Sequence, residues 1–185
     1  MKTNSKKVLA LALSAAMTVS VLSAVTLPAS ADTSVFDENN IKLRFPAVSD
    51  VHVSSIGDNG YTKMTAALDQ LIAQAKKTDP NAELDALLVA GDLTNNGSQE
   101  QISAFAAAVK KKVDTDKTRL VIASGNHDYD MPDHGETYNT TNYLKNGFDN
   151  KIFQNAEADS DLDAGNYHTV VNGFHMIAVK CNQYL

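Results

Sequence analysis

Three short motifs in this sequence carry side chains that bind metal ions: Asp50-Val51-His52, Gly91-Asp92 and Gly125-Asn126-His127-Asp128. Each motif directly follows an apolar segment that is typical of a buried β-strand. In an open α/β sheet, functional groups gather outside the carboxyl ends of the strands, so we expect the three motifs to meet in space. Carboxylate, imidazole and amide oxygen ligands together suit a divalent metal ion of borderline hardness.

Each candidate residue also has an ordinary structural interpretation. Asp50 could cap the end of a strand, and His52 could be an exposed loop residue. Gly91-Asp92 alone is usually a turn, and Asn126 could bond the backbone of its own loop. The functional hypothesis therefore depends on the shared position of all three motifs behind strands, rather than on any single residue.

The segments around the motifs predict an alternating order of strands and helices. Residues 41–48, 86–90 and 119–123 are predicted strands. Between them, residues 61–77 have apolar side chains at helical spacing, and Ser98 with Gln101 forms a capping box that opens a second helix. A β-α-β-α-β order predicts an α/β fold with parallel strands.

The remaining sequence predicts a polar excursion and then a hairpin. Residues 129–163 are rich in Asn, Asp, Gly and Tyr, with one short helix around residues 142–145. Such an excursion is either a substrate loop or a solvated insertion without a role. Asn172-Gly173 separates two strand-like segments, residues 167–171 and 174–179, which is the strongest short-range signal for a β-hairpin.

The three motifs, in this order and each behind a strand, resemble those of the calcineurin-like metallophosphoesterases. The resemblance covers residue 41 to the end of the chain. It implies the N-terminal portion of a β-sandwich flanked by helices, and hydrolysis of a phosphomonoester or phosphodiester with two divalent metal ions, manganese, iron or zinc. The segment Gly91-Asp92-Leu93-Thr94-Asn95-Asn96-Gly97 is similar to the secreted and cyclic-nucleotide-type branch of the family.

The resemblance also implies a role for each candidate residue. Asp50 and His52 would bind the first metal ion and Asn126 the second, with the Asp92 carboxylate shared between them. His127 would be a non-ligand that protonates the leaving oxygen, which suits an imidazole whose ordinary pKa is about 6.5. Asp128 would orient His127 and favour its charged form.

The family pattern includes a further His and a Gly-His-x-His near the end of the domain. After His127 this sequence contains His134, His168 and His175, and none of them stands in a Gly-His-x-His. We therefore expect residues 41–185 to form a domain that lacks its C-terminal part and hydrolyses phosphoesters weakly or not at all. The alternatives are an inactive truncated fragment and a secreted non-catalytic binding module that uses metal structurally.

The first 31 residues are predicted to be a secretory signal peptide. Three lysines precede an apolar stretch over residues 8–25, and Ala29-Ser30-Ala31 is a small-residue cleavage site. An uncleaved membrane anchor is the alternative, because the apolar stretch approaches spanning length. Cleavage after Ala31 would give a secreted or otherwise extracytoplasmic protein without a stable membrane span, beginning with a polar lead-in over residues 32–40.

Charge and cysteine content narrow the class of partner. The formal charge is −6, and removing the three lysines of the leader, which has no acidic residue, takes it to −9. An acidic protein lacks the basic surface that attracts nucleic acid, so the expected partner is a small phosphoester or a nucleotide. The sequence contains 1 cysteine, so no disulfide forms within the chain. About 150 residues are enough for one domain with a core.

Overall fold

The computed structural model describes residues 40–129, 140–162 and 164–180. The chain divides into two units, Met1–Asn40 and Ile41–Leu185, and all the elements below belong to the second. The predicted signal peptide, His134 and most of the polar lead-in lie outside the described residues. In chain order the elements are β1 (Ala47–Val48), α1 (Asn59–Thr78), β2 (Ala86–Ala90), α2 (Gln99–Lys110), β3 (Arg119–Ala123), a 3₁₀ helix (Asn126–Tyr129), α3 (Thr140–Gly147), β4 (Tyr167–Val171) and β5 (Phe174–Ala178).

The first three strands form a parallel sheet with β2 at its centre. β2 pairs with β3 over the full length of both strands, and both begin and end at the predicted residues. β1 contains two residues, fewer than the predicted strand over residues 41–48. The reason is Pro46, which has no N–H to donate to a ladder, although its carbonyl accepts a hydrogen bond of 3.0 Å from Leu88 N.

Helices cover one face of this sheet. Side chains of β2 and β3 that point toward the helices, such as Leu87, Val89 and Ile122, are almost fully buried against them. α1 contributes Met64 and Leu68 to this core. The other helices add Ile102, Phe105 and Val109 from α2 and Leu144 from α3, with Phe148 just after it.

The β-hairpin of β4 and β5 covers the opposite face. Its inward side chains, among them Tyr167, Val171 and Met176, pack with Ala86 and Val121 of the sheet. The turn Asn172-Gly173 has φ values of 52° and 83°. Both lie in the left-handed region that a two-residue hairpin turn with Asn-Gly requires. The predicted α/β architecture, a β-α-β-α-β order followed by a hairpin with helices flanking the strands, is therefore confirmed.

The helices are amphipathic, with one face toward the core and the other toward solvent. α1, with 20 residues the longest helix of the described ranges, has buried side chains at Tyr61, Met64 and Leu68 and exposed positions between them. Within the described ranges, none of the helices combines the length and the apolarity needed to cross a bilayer.

Candidate metal centre

The three predicted motifs lie side by side because parallel pairing continues past the ends of the strands. His52 N donates to the Asp92 carbonyl at 3.1 Å, and Asp50 N donates to the Gly91 carbonyl at 3.2 Å. Gly91 N in turn donates to the Ala123 carbonyl at 3.1 Å, at the end of β3. The three loops are thus held together by main-chain hydrogen bonds before any side-chain contact is counted.

Three of the predicted ligand residues have an unusual backbone conformation. Asp50, His52 and Asp92 have φ values of 53°, 48° and 50°. This left-handed region is sterically unfavourable for residues that carry a Cβ, and such residues concentrate at functional sites. The left-handed residues lie where the first two loops are joined by main-chain hydrogen bonds, from Asp50 N to Gly91 and from His52 N to Asp92.

Asp50, His52 and Asp92 converge as predicted. Each offers one ligand atom, and the three atoms lie within 4.8 Å of one another. His52 Nε2 is 4.0 Å from Asp92 Oδ2. Metal–ligand bonds of about 2.0–2.2 Å allow ligand atoms to stand up to roughly 4.4 Å apart, so small side-chain rotations would let all three reach one cation. The donor set therefore fits a divalent metal ion.

The centre is open to solvent on one side. Asp50 is exposed, the His52 side chain is 37% exposed, and the Asp92 side chain is 16% exposed. Within the described residues, the Asp50 and His52 side chains are therefore accessible to solvent at the candidate centre.

Asn126 begins the 3₁₀ helix, between two residues that contact Asp92. On its N-terminal side, a Cβ on Gly125 would stand 2.2 Å from Asp92 Oδ1, so only glycine allows this approach. On its C-terminal side, His127 N donates to Asp92 Oδ1 at 3.1 Å. The structure thus places Asn126 on the loop that contacts the Asp92 carboxylate, and its role as a metal ligand stays a prediction.

His127 packs against His52, which is a candidate metal ligand. Their ring centroids are 4.8 Å apart and the rings meet edge to face at 82°. His127 Nδ1 lies 3.1 Å from the main-chain carbonyl of Asn95. Because a carbonyl only accepts hydrogen bonds, this contact requires a proton on Nδ1, and Nε2 is then the nitrogen that can exchange a proton. No role at the centre was predicted for Asn95, since its contribution comes from the main chain.

Asp128 is fully buried and accepts hydrogen bonds from two loops. Burial raises the pKa of its carboxyl group, and the bonds from Gly125, Thr94 and Leu93 act in the opposite direction. The donors are Gly125 N at 2.8 Å, Thr94 N at 3.0 Å, Thr94 Oγ1 at 2.9 Å and Leu93 N at 3.2 Å. Asp128 therefore joins the loop after β2 to the loop after β3. Its predicted role in orienting His127 stays a prediction.

The two later histidines of the described chain lie on the hairpin. His168 is on β4 and His175 is on β5, where their rings contact each other. Among the residues that the structure describes, the one group of three or more carboxylate, imidazole or thiol ligands is Asp50, His52 and Asp92.

The fold is thus a parallel α/β sheet, faced by helices and a hairpin, with candidate metal ligands beyond its strand ends. The family model of the calcineurin-like phosphoesterases matches residues 43–183. The match covers most of the chain and includes all six predicted site residues, so the chain belongs to the calcineurin-like phosphoesterase family. No match was found among the curated proteins. Membership indicates metal-dependent hydrolysis of phosphoesters with divalent metal ions.

Proposed function

We propose that this chain hydrolyses a small phosphodiester or phosphomonoester at the centre formed by Asp50, His52, Asp92 and Asn126. The observation that supports the proposal most is the convergence of three ligand atoms within 4.8 Å on loops that are 40 residues apart in sequence, from His52 to Asp92. His127 also donates its main-chain N–H to the Asp92 carboxylate, which brings an imidazole to the candidate centre as a second functional group.

The ligands divide unequally between two metal ions. Asp50, His52 and Asp92 would hold the first ion, and three protein ligands with an open position are typical of a catalytic site. Asp92 and Asn126 would hold the second ion with two protein ligands. When bound, divalent ions neutralise the charge of a phosphate and lower the pKa of a coordinated water. We infer that the second site binds metal weakly, so that turnover is slow and rises with the concentration of added metal.

His127 is proposed as the general acid. The Asn95 carbonyl holds Nδ1, which leaves Nε2 to give a proton to the leaving oxygen. The ring also stands edge-on to His52, so the proton donor and the first ion's imidazole ligand are neighbours. His127 would therefore act on the oxygen that departs, while the metal ligands hold the phosphate.

The proposal also covers the class of substrate and the location of the protein outside the cytoplasm. The segment Gly91 to Gly97 favours the secreted and cyclic-nucleotide-type branch, and hence a phosphodiester or nucleotide substrate. The lysine-rich start and the apolar residues 8–25 favour export with cleavage after Ala31. Sequencing the N-terminus of the protein from culture medium tests export, since the chain should begin at Asp32 and a start at Met1 would contradict it.

The first test is hydrolysis of bis(p-nitrophenyl) phosphate with added manganese. We expect slow turnover that increases with manganese and falls by about 100-fold or more in Asp92→Asn, because the shared charge is lost while the shape is kept. Asp69→Asn is the matched control, since it removes one exposed carboxylate on α1, in an ion pair with Lys112. Equal rates in the two variants would refute the proposed centre. Manganese binding without turnover would instead favour the non-catalytic binding module.

The second test separates the acid from the ligands. His127→Gln should slow hydrolysis of an alkyl phosphodiester by about 10²–10⁴-fold, because a poor leaving group needs the proton. The same variant should slow the p-nitrophenyl ester much less, because that leaving group departs as an anion. A uniform loss on both substrates would show that His127 has another role.

A further inference from the structure

A second group of metal-binding side chains lies on the outward face of the hairpin. His168 of β4 and His175 of β5 are stacked, with ring centroids 4.9 Å apart and an interplanar angle of 27°. His168 Nε2 is 2.7 Å from His175 Nδ1. Two nitrogens at this distance must share either a proton or a cation.

Asp159 fixes the protonation of His168. Its carboxylate oxygens lie 3.0 Å and 3.2 Å from His168 Nδ1. A carboxylate only accepts, so Nδ1 carries the proton and the lone pair of His168 Nε2 points to the space beside His175. In the absence of a cation, the proton between the two rings therefore belongs to His175 Nδ1.

The main chain holds this arrangement in place. His168 N donates to Ser160 Oγ at 3.0 Å, and Glu157 N donates to the His168 carbonyl at 2.7 Å. The loop that carries Asp159 is thus tied on both sides to the strand that carries His168. His175 is exposed, so solvent rather than packed side chains surrounds the rest of its ring. Asp161 and Asn166 line the same surface depression and offer further oxygen atoms.

We propose that His168 Nε2 and His175 Nδ1 bind one divalent ion of the zinc and copper class, with Asp159 as the positioning residue behind His168. A carboxylate that holds the second nitrogen of a ligating imidazole is the usual support of such a ligand. Tetrahedral bonds of about 2.0–2.1 Å place two nitrogens roughly 3.3 Å apart, which the exposed His175 ring reaches by a small rotation. Its proton moves from Nδ1 to Nε2, so the histidine stays neutral.

The ligand set also predicts the choice of metal. Imidazole nitrogens favour zinc, copper and nickel, whereas carboxylate and amide oxygens suit manganese. The hairpin site would therefore be selective for a different ion from the oxygen-rich centre at the strand ends. It shares no residue with Asp50, His52, Asp92 or Asn126, so it stands or falls independently of the proposed hydrolysis. A bound ion would link β4 to β5 on the face that the sheet does not cover.

The test uses the untagged full chain carrying Asp92→Asn, which weakens the other centre, and copper(II) as the probe. We expect one equivalent to bind with an electron paramagnetic resonance spectrum split by two imidazole nitrogens. His175→Ala, at an exposed position, should lose this two-nitrogen pattern and bind zinc at least tenfold more weakly by titration calorimetry. Asp159→Asn should keep both nitrogens but weaken zinc by about 10–100-fold.

Two results would overturn the proposal. One is an unchanged copper spectrum in His175→Ala, and the other is zinc binding that Asp159→Asn does not weaken. Circular dichroism melting of each variant verifies folding. Should His168→Ala fail to fold, His175→Ala still decides the question, because its side chain is exposed and leaves the inner face of the hairpin untouched.

Discussion

The carboxylate of Asp128 shows how a single side chain can join two functional loops. Each of its oxygens accepts two hydrogen bonds, and the four donors come from the loops after β2 and β3. Its main-chain carbonyl is also engaged, by Thr140 Oγ1 at 2.9 Å. A Cβ on Gly97 would stand 2.0 Å from that carbonyl oxygen, so this turn requires glycine as well.

We predict that Asp128→Asn destabilises the fold even though it removes a buried charge. Whichever way the amide is turned, its NH₂ group faces main-chain N–H donors, and each buried donor without an acceptor costs about 1–3 kcal/mol. Urea unfolding at neutral pH measures the loss. The control Asp69→Asn removes an exposed carboxylate, where such changes usually stay within about 0.5 kcal/mol. Unchanged stability of Asp128→Asn would show that the four hydrogen bonds contribute little.

At the scale of one residue, the sequence identifies ligand types but not their partners. Asp50, His52 and Asp92 could be predicted together because all three follow strands of one parallel sheet. The contact between His127 and the Asn95 carbonyl could not, since a main-chain acceptor leaves no trace in residue type. The hydrogen bonds to Asp128 could not be predicted either, because the donors Thr94 and Leu93 stand 34 and 35 positions earlier in the chain.

Among the α-helices, α1 is joined at its start to the loop that carries His52. Asp58 caps it by accepting from Tyr61 N at 2.7 Å. The other carboxylate oxygen accepts from Ser54 N at 2.6 Å and Ser55 N at 3.2 Å, in the loop that follows His52. A Cβ on Gly60 would stand 2.6 Å from the His52 carbonyl oxygen. The first turn of α1 therefore packs directly on the ligand loop.

We predict that Asp58→Ala costs about 1–2 kcal/mol at neutral pH. Partial burial alone would raise the pKa of Asp58, but the main-chain hydrogen bonds from Tyr61, Ser54 and Ser55 outweigh it and hold that pKa below its ordinary value. The stabilisation is therefore complete above the unfolded pKa of about 3.9 and is lost as the pH falls through the lower folded value.

Urea unfolding at several pH values tests whether the stabilisation by Asp58 is lost at low pH. The difference between the original chain and Asp58→Ala should shrink as the pH drops below about 4. Asp58→Ser is the matched variant, because serine restores the cap to Tyr61 but not the bonds to Ser54 and Ser55. A difference that stays constant down to pH 2 would contradict an ionised cap.

Element boundaries were predictable where local chemistry decides them. β2 and β3 match the predicted residues because apolar runs end sharply at Gly91 and Ser124. The predicted capping box is half present: Ser98 Oγ accepts from Gln101 N, whereas Gln101 Oε1 accepts from Asn95 N and Asn96 N. The 3₁₀ helix at Asn126 had no periodic signal, since four residues are too few to show one.

Across the whole molecule, one tyrosine joins the hairpin to the sheet. Tyr167 is almost fully buried, and burial raises the pKa of its hydroxyl group. The hydroxyl accepts from Ile122 N at 2.5 Å and donates to the Leu120 carbonyl at 3.3 Å. It therefore satisfies one main-chain N–H and one carbonyl on the outer edge of β3, which makes that part of the edge less available for pairing with another chain.

We predict that Tyr167→Phe destabilises the protein by about 1–3 kcal/mol, because Ile122 N–H loses its acceptor. Hydrogen exchange offers the sharpest measurement: the Ile122 amide should exchange faster in the variant, while amides in α1 should change only as global stability does. Tyr143→Phe on α3 is the control, since it removes a hydroxyl from a tyrosine that is partly buried in the other core. Equal effects of the two substitutions would contradict a specific role for Tyr167.

Asp50, His52 and Asp92 all have left-handed backbone conformations, which cost conformational energy in residues that carry a Cβ. Glycine would adopt those backbone angles without steric cost, so replacing Asp50 or His52 by glycine relieves backbone strain while it removes a candidate metal ligand. At Asp92 the same replacement would also remove the acceptor of the hydrogen bond from His127 N. In a library of random variants screened without added metal, heat resistance and metal binding would therefore be selected in opposite directions at Asp50 and His52. Laboratory evolution for thermal survival alone would delete these two side chains first and leave the sheet, the helices and the hairpin intact.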